Sequence, residues 1–298
     1  MKGLIEKDLA SVRALLLREL SLDGYESIER LGGLTNHTYR VKAKNGREYV
    51  VCIPGEGTEQ MIVRDDERTS TELACELGID AELLYFGKDG AKITAYIKNA
   101  ETMSKASIKE EKRLRQVADV LKRLHGCKRD TGVPFEVFEM AASYEKIMKD
   151  MHVPSFDDYE EVKARVLMIK QATDGEIPTD KVPCHNDPLC ENWVVGDEKM
   201  YLIDWEYAGM NDGMWDVADV SIEAELSEQE DGLLLSAYLG REPSISDRRH
   251  FLASKLYVDF LWTLWAKARV PYDGQPMEDW ASERYARLKE NIKAYDAL

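Results

Sequence analysis

"VPCHNDPLCENWVV" (Val182–Val195) sets a histidine, an aspartate and two asparagines between apolar flanks, with a proline directly after the aspartate. A strand-and-turn core has no use for so many polar side chains. From Asp187 to Asn192 the spacing is D-x-x-x-x-N. "NWVV" and "MYLID" then read as two apolar strands around a Gly-Asp turn, the second ending in Asp204. Such a hairpin predicts that Asp187, Asn192 and Asp204 meet at one end of a sheet. Two carboxylates and an amide carbonyl make a hard, oxygen-only site of the kind that suits Mg²⁺ still carrying waters and phosphate oxygens. Taken singly, each of the three serves equally well as a turn or strand cap. His185 is expected to brace the loop, and His125, at the end of a helical stretch, to be a satisfied core histidine.

Outward from this stretch, the organisation is simple. Residues 6–20 place Leu9, Val12, Leu16 and Leu20 at helical spacing. Residues 25–55 read as strands, with Tyr39, Val41 and Ala43 alternating with polar residues, and Asn45-Gly46 supplying two positive-φ positions for a tight hairpin. Gly32-Gly33 interrupts the first strand pair, where the backbone must bend or approach something closely. Residues 59–77 look helical, and short strands follow near "AELLYFG" and "AKITAYI". A helix over 106–125 lines up Leu114, Val117, Ala118, Leu121 and Leu124, and from Asp216 onward the pattern is helical again. The reading is an α+β chain of two lobes: a small β-rich N-lobe over 1–97 and a larger, mostly helical C-lobe over 98–298.

Composition narrows the function. The 298 residues, 44% hydrophobic and 32% charged, are ordinary for a globular chain with a sizeable core. A net charge of −16 repels phosphate backbones and anionic lipid, so neither nucleic acid nor membrane insertion is expected. The five cysteines are odd in number and contain no CxxC pair, which argues against a disulfide framework or a zinc site. The short, charged N-terminal apolar run fits no signal peptide, and a cytoplasmic protein is expected. Nothing recognisable encodes an oligomeric state.

Behind a glycine-containing β segment, Asp187, Asn192 and Asp204 together match the kinase pattern H-x-D-x-x-x-x-N followed by a metal-binding Asp. "RLGGLTNHTYRV", "GEGTEQMIVRDDE", "CHNDPLCENWVV", "YLIDWEYAGMNDGMWDVAD" and "FLWTLW" carry a resemblance that covers nearly the whole chain. The sequence resembles the choline/ethanolamine kinase family, and more closely its bacterial choline kinases, within the protein-kinase-like and aminoglycoside phosphotransferase superfamily. The resemblance implies a two-lobed protein-kinase-like fold with ATP in the cleft and Mg²⁺ on its phosphates. It makes Asp187 the catalytic base, which also meets the substrate hydroxyl, and Asn192 and Asp204 the metal ligands. Gly33, Thr35 and Asn36 would lie over the phosphates, Glu67 would be the helix glutamate of a Lys–Glu pair, and Ala95 to Ile97, with Tyr96, the hinge. Asp216 would brace the catalytic loop.

The substrate implied is choline, whose quaternary ammonium donates no hydrogen bond and must be met by π-faces and carboxylates. Tyr207, Glu223, Trp262 and Trp265 are the implied cage, although a Trp pair at helical spacing is also what core packing produces. Ethanolamine, an aminoglycoside or thiamine is the alternative acceptor.

One position departs from the family. Cys52 stands in "YVVCIPG" where the family has Lys or Arg, so Glu67 loses its expected partner. Lys42 or Arg64 could supply the charge; Mg²⁺ and loop amides could suffice; or the chain could be a low-activity or non-catalytic binder of nucleotide or choline.

Overall fold

Residues 2–32, 36–55, 62–197 and 199–298 are described by a computed structural model. Helix α1 (Lys2–Leu20) leads into strands β1 (Tyr25–Gly32), β2 (Asn36–Ala43) and β3 (Glu48–Pro54), then α2 (Arg64–Glu76), β4 (Leu83–Phe86), β5 (Lys92–Ala95) and β6 (Glu101–Thr102). Helices α3 (Glu111–His125), α4 (Val137–Asp150) and α5 (Tyr159–Glu176) precede β7 (Lys181–Cys184), a 3₁₀ turn at Cys190–Asn192, β8 (Trp193–Gly196), β9 (Lys199–Leu202) and β10 (Gly209–Asp212). The chain ends in α6 (Gly213–Glu223), α7 (Glu228–Leu239), α8 (Ile245–Asp273) and α9 (Gln275–Ala297). The architecture is α+β: an antiparallel sheet in the N-terminal part and a helical remainder. Among the described residues no helix is long and apolar enough to cross a membrane.

Two compact units form, Met1–Thr102 with Asn192–Ala208, and Met103–Glu191 with Gly209–Leu298. The first therefore runs past the division expected at 97/98 and also takes in the β8–β9 hairpin. The reason is local. β6 pairs with β8, and the Leu202 amide donates to the Ile79 carbonyl at 3.1 Å. Gly196 is required there, because a Cβ would come within 2.3 Å of the Ile97 side chain and 2.7 Å of the Lys98 carbonyl.

The first unit's five-stranded sheet has the order β1-β2-β3-β5-β4. Strand alternation divides its residues between two faces. Tyr39, Val41, Tyr49, Val51 and Ile93 pack on Val12, Leu15 and Leu16 of α1. The register Val50↔Thr94 and Cys52↔Lys92 turns those four residues to the other face. The β2–β3 turn differs from expectation: of Asn45 and Gly46, only Gly46 has positive φ (79°). Asn45 instead accepts the Arg47 amide on its side chain at 3.0 Å, in a type I turn closed by the Gly46 amide on the Ala43 carbonyl. α3 starts at Glu111 rather than near 106, since Ser104 and Ser107 use their hydroxyls on each other's backbone amides.

In the second unit α8 packs against α4, α6 and α9. The α3 stripe Leu114, Val117, Ala118, Leu121 and Leu124 is fully buried. The start of α6 is pinned by Asp212, which accepts the Met214 amide at 2.9 Å and His250 Nε2 at 2.5 Å. Burial works against the Asp212 charge, but these two donors outweigh it and hold its carboxyl below the ordinary 3.8. A depressed folded-state pKa means stabilisation that is complete above 3.8 and lost as pH falls through the lower folded value. Asp212→Ala should therefore cost about 1–2 kcal/mol at neutral pH. That cost should shrink as pH falls below 3.8 and through the lower folded value, as urea unfolding across pH will measure.

Candidate active site

The stretch that opens the sequence analysis begins on β7, which pairs antiparallel with β10 in the register Cys184↔Gly209 to Lys181↔Asp212. The loop after it is held from α6. Asp216, wholly buried, accepts the amides of His185 and Asn186, each at 2.8 Å, and His125 Nε2 at 3.0 Å. Donation from Nε2 leaves His125 Nδ1 as the acceptor for the Tyr238 hydroxyl at 2.8 Å, so His125 is a satisfied core histidine. Asn186 sits at φ 66°, its side-chain oxygen bonded by Asn211 and its carbonyl by the Trp215 indole. His185 Nδ1 accepts the Asp187 amide at 3.3 Å. The buried ring thus braces the residue expected to be the base.

In the first unit, Trp193 pairs with Leu202 at the open end of the β8–β9 hairpin, and the Ile203 amide donates to the Asn192 carbonyl at 3.0 Å. Asn192 and Asp204 therefore flank the same end of the hairpin, as their spacing predicts. Asp204 takes a left-handed backbone (φ 70°), costly for a non-glycine residue and commonest where function demands it. Its Oδ1 is buried without a hydrogen-bond partner. Glu206, two residues on, accepts Asn36 Nδ2 at 2.9 Å, while Asn36 Oδ1 has no hydrogen-bond partner. Burial, then the nearby Asp204 charge, push the Glu206 carboxyl up to about 7. The partnerless Asp204 Oδ1, with the Glu206 carboxyl two residues on, suits a hard divalent cation, and Asn192, Asp204 and Glu206 are the residues that would hold Mg²⁺. Glu206 was missed in the sequence, where it reads as an ordinary strand-end acid. Gly33 and Thr35 lie outside the described residues.

Glu67 does not lack a partner. On α2, with its side chain 1% exposed, it binds Lys92 Nζ at 3.0 Å and Arg64 Nη1 at 2.6 Å. Lys92 also stands 3.7 Å from Asp204 Oδ1. Of the two cations the sequence suggests, Arg64 is in place, while Lys42 is on the surface with Glu26. Burial disfavours the Lys92 ammonium, but the carboxylates of Glu67 and Asp204 outweigh it and raise its pKa well above 10.5. Burial pushes the Cys52 thiol up to about 12, so it is neutral and no nucleophile. The signal for Lys92 was a charge inside the strand "AKITAYI". At the expected hinge, the Tyr96 amide donates to the Glu48 carbonyl at 3.1 Å, Arg40 stacks 4.2 Å from the Tyr96 ring, and Ile97 packs on Gly196.

The remaining predicted residues divide between the units. Tyr207 belongs to the first, three residues after Asp204. In the second, Asp216, Asp219 and Glu223 fall at i, i+3 and i+7 on one face of α6. Glu223 is ion-paired with the buried Arg284. Asp219 is fully buried, and neither carboxylate oxygen has a hydrogen-bond partner. Burial, then the charges of Glu223 and Asp187, raise its pKa well above 3.8. Trp262 and Trp265 of α8 meet edge to face (centroids 6.1 Å, 89°), and Trp265 meets Trp280 of α9 at 5.9 Å. Arg284 lies 3.9 Å over the Trp280 ring. Arg284 thus connects the α6 acid Glu223 to the ring of Trp280.

Known proteins carry the same arrangement of sequence and fold. The choline/ethanolamine kinase family model matches residues 28–267. Protein LicA of Haemophilus influenzae is 28% identical over 263 residues, 85% of this chain and 76% of that protein. A choline/ethanolamine kinase family protein from Mesorhizobium loti is 32% identical with a TM-score of 0.85, over 95% of this chain and 94% of that one. Choline kinase LicA from Streptococcus pneumoniae is 30% identical with a TM-score of 0.79, over 96% and 100%. The fold is protein-kinase-like.

Replacing Asp216 by Asn tests the loop brace. One acceptor becomes a donor facing a backbone N–H, so the variant should lose about 1–3 kcal/mol of stability by denaturant unfolding. The amides of His185 and Asn186 should exchange faster with solvent than in the parent.

Proposed function

The chain belongs to the choline/ethanolamine kinase family, and we propose that it phosphorylates choline, using ATP, to give phosphocholine and ADP. It is a kinase, and its acceptor is a small amino alcohol. The observation that supports a cationic acceptor best is Asp219, a buried acid without a hydrogen-bond partner on the α6 face whose neighbouring acids include Glu223. A cation removes the cost of an unpaired buried carboxylate. Trp262 and Trp265 favour a methylated head over –NH₃⁺, since ring faces attract a quaternary ammonium that can donate no hydrogen bond. The free cysteines among the described residues suit a reducing, cytoplasmic setting.

In the proposed reaction the choline hydroxyl oxygen attacks the γ-phosphorus. The new O–P bond forms as the bond to the β-phosphate oxygen breaks, and ADP leaves with that electron pair. Asp187 orients the hydroxyl and takes its proton. Its place depends on His185 and, behind it, on Asp216. Asn192, Asp204 and Glu206 would hold Mg²⁺, which when bound neutralises charge on the phosphates. Transfer is direct, with no phosphoenzyme, and Cys52, a neutral thiol, does not serve as a nucleophile.

A second reading, ethanolamine as the preferred acceptor, is favoured by the two Asp219 oxygens, which could accept N–H bonds that choline lacks. ADP release with choline and ethanolamine in parallel separates the two. Asp187→Asn should lower turnover by about 10²–10⁴-fold with either acceptor. The parent should show the higher kcat/KM with choline, and Trp262→Ala with Trp265→Ala should raise KM for choline about tenfold or more. A parent that prefers ethanolamine, with the preference removed by Asp219→Asn, would move the assignment to the second reading.

A further inference from the structure

We propose that Lys92 of β5 is the cation that meets the nucleotide phosphates in this kinase, having exchanged places across the sheet with Cys52. The proposal rests on the kinase reading above and concerns how this chain grips its nucleotide.

The register makes the exchange possible. Cys52 and Lys92 are direct partners on neighbouring antiparallel strands, on the face of the sheet opposite α1. Cross-strand partners have Cβ atoms about 4.5–5.5 Å apart, so a lysine arm starting from either position reaches the same region. Lys92 reaches it. Its ammonium joins Glu67, on the helix, to Asp204, at the open end of the β8–β9 hairpin. The 3.7 Å separation from Asp204 is too long for a hydrogen bond, and Asp204 Oδ1 has no such partner. An ammonium has three donors, and Glu67 takes one at 3.0 Å. The ammonium can therefore turn further donors toward phosphate oxygens brought beside Asp204.

The other cations do different work. Arg64 engages the opposite oxygen of Glu67 at an i,i+3 spacing on α2, and its side chain is wedged against Gly90, where a Cβ would come within 2.6 Å of it. It clamps the glutamate from the helix side. Lys42 is half-exposed and paired with Glu26. Cys52 also fits the exchange. It is buried, small and neutral, and leaves room for the Lys92 stem beside it. Arg64 and Lys92 already occupy both oxygens of Glu67, so a second lysine would add a third cation to a buried site, and Cys52→Lys alone should impair the enzyme rather than improve it.

Four proteins test this: the parent, Lys92→Met, Cys52→Lys and the double variant Cys52→Lys/Lys92→Met. Each is melted, titrated with Mg·ADP, and assayed for ADP release over a range of ATP and acceptor. Lys92→Met should lose about a hundredfold in kcat/KM for ATP, with the acceptor KM within about threefold of the parent. The double variant should recover about tenfold or more of that loss, and Cys52→Lys alone should fall below the parent. A merely structural lysine would not be rescued from the neighbouring strand. The proposal is overturned if a folded Lys92→Met keeps its kcat/KM for ATP within about threefold, or if the double variant is no better than Lys92→Met. Should Lys92→Met fail to fold, the double variant decides alone, and its failure to fold or to bind Mg·ADP counts against the exchange. If the parent binds nucleotide but phosphorylates no amino alcohol, the substrate assignment is wrong, and the affinities for Mg·ADP still decide the role of Lys92 in the same order. A parent that binds no nucleotide overturns both.

Discussion

The loop that carries Asp187 depends on one carboxylate, that of Asp216. It is fully buried and takes three donors, two of them consecutive backbone amides. For two successive N–H groups to point at one acceptor, the backbone must turn sharply, and Asn186 pays with a left-handed conformation. Its side-chain oxygen and its carbonyl are then taken by Asn211 and the Trp215 indole, which removes the penalty of burying those two acceptors unpaired. Asp187 emerges from this network. Its direction is therefore determined by residues that do no chemistry.

How much of this was legible depends on the range of the interaction. The Asp187–Asn192 spacing and the "NWVV"/"MYLID" alternation are local, and they located the hairpin end where Asn192 and Asp204 meet. The buried stripe of α3 was equally plain, because period alone specifies it. The Glu67 partner was not. Lys92 lies 25 residues from Glu67, and only strand register reveals that it neighbours Cys52. The cations nearest in sequence are Lys42 and Arg64, and only Arg64 is in place. Arg284, which takes up the Glu223 charge from 61 residues away, was hidden for the same reason. The Asn45 turn failed differently: Asn-Gly allows two turn types, and a side-chain bond to the Arg47 amide selected the one with a single positive φ.

The Lys92 case has a wider physical meaning. Phosphoryl transfer needs positive charge at a point in space, not at a place in the chain. In an antiparallel sheet, cross-strand partners are nearly equivalent starting points for a long side chain, whereas sequence neighbours face opposite ways. A missing residue on β3 is thus better sought on β5 than one position along β3. The small, neutral Cys52 is as much a part of this arrangement as the lysine, because it adds no third cation to the two that already hold Glu67.

The division of the chain bears on how it is made. The polypeptide crosses between the two compact units three times, after Thr102, after Glu191 and after Ala208. The β8–β9 hairpin, with Asn192 and Asp204, completes the unit that the N-terminal residues began, through β6 and Ile79. Chains emerge from the ribosome N-terminus first. The first unit must therefore wait for its last two strands until much of the second has been synthesised. Until then the carbonyl of Ile79 and the edge of β6 lack their partners, and a nascent chain halted before residue 192 has neither Asn192 nor Asp204. Synthesis order thus makes the β8–β9 end of the first unit a late addition to strands already made.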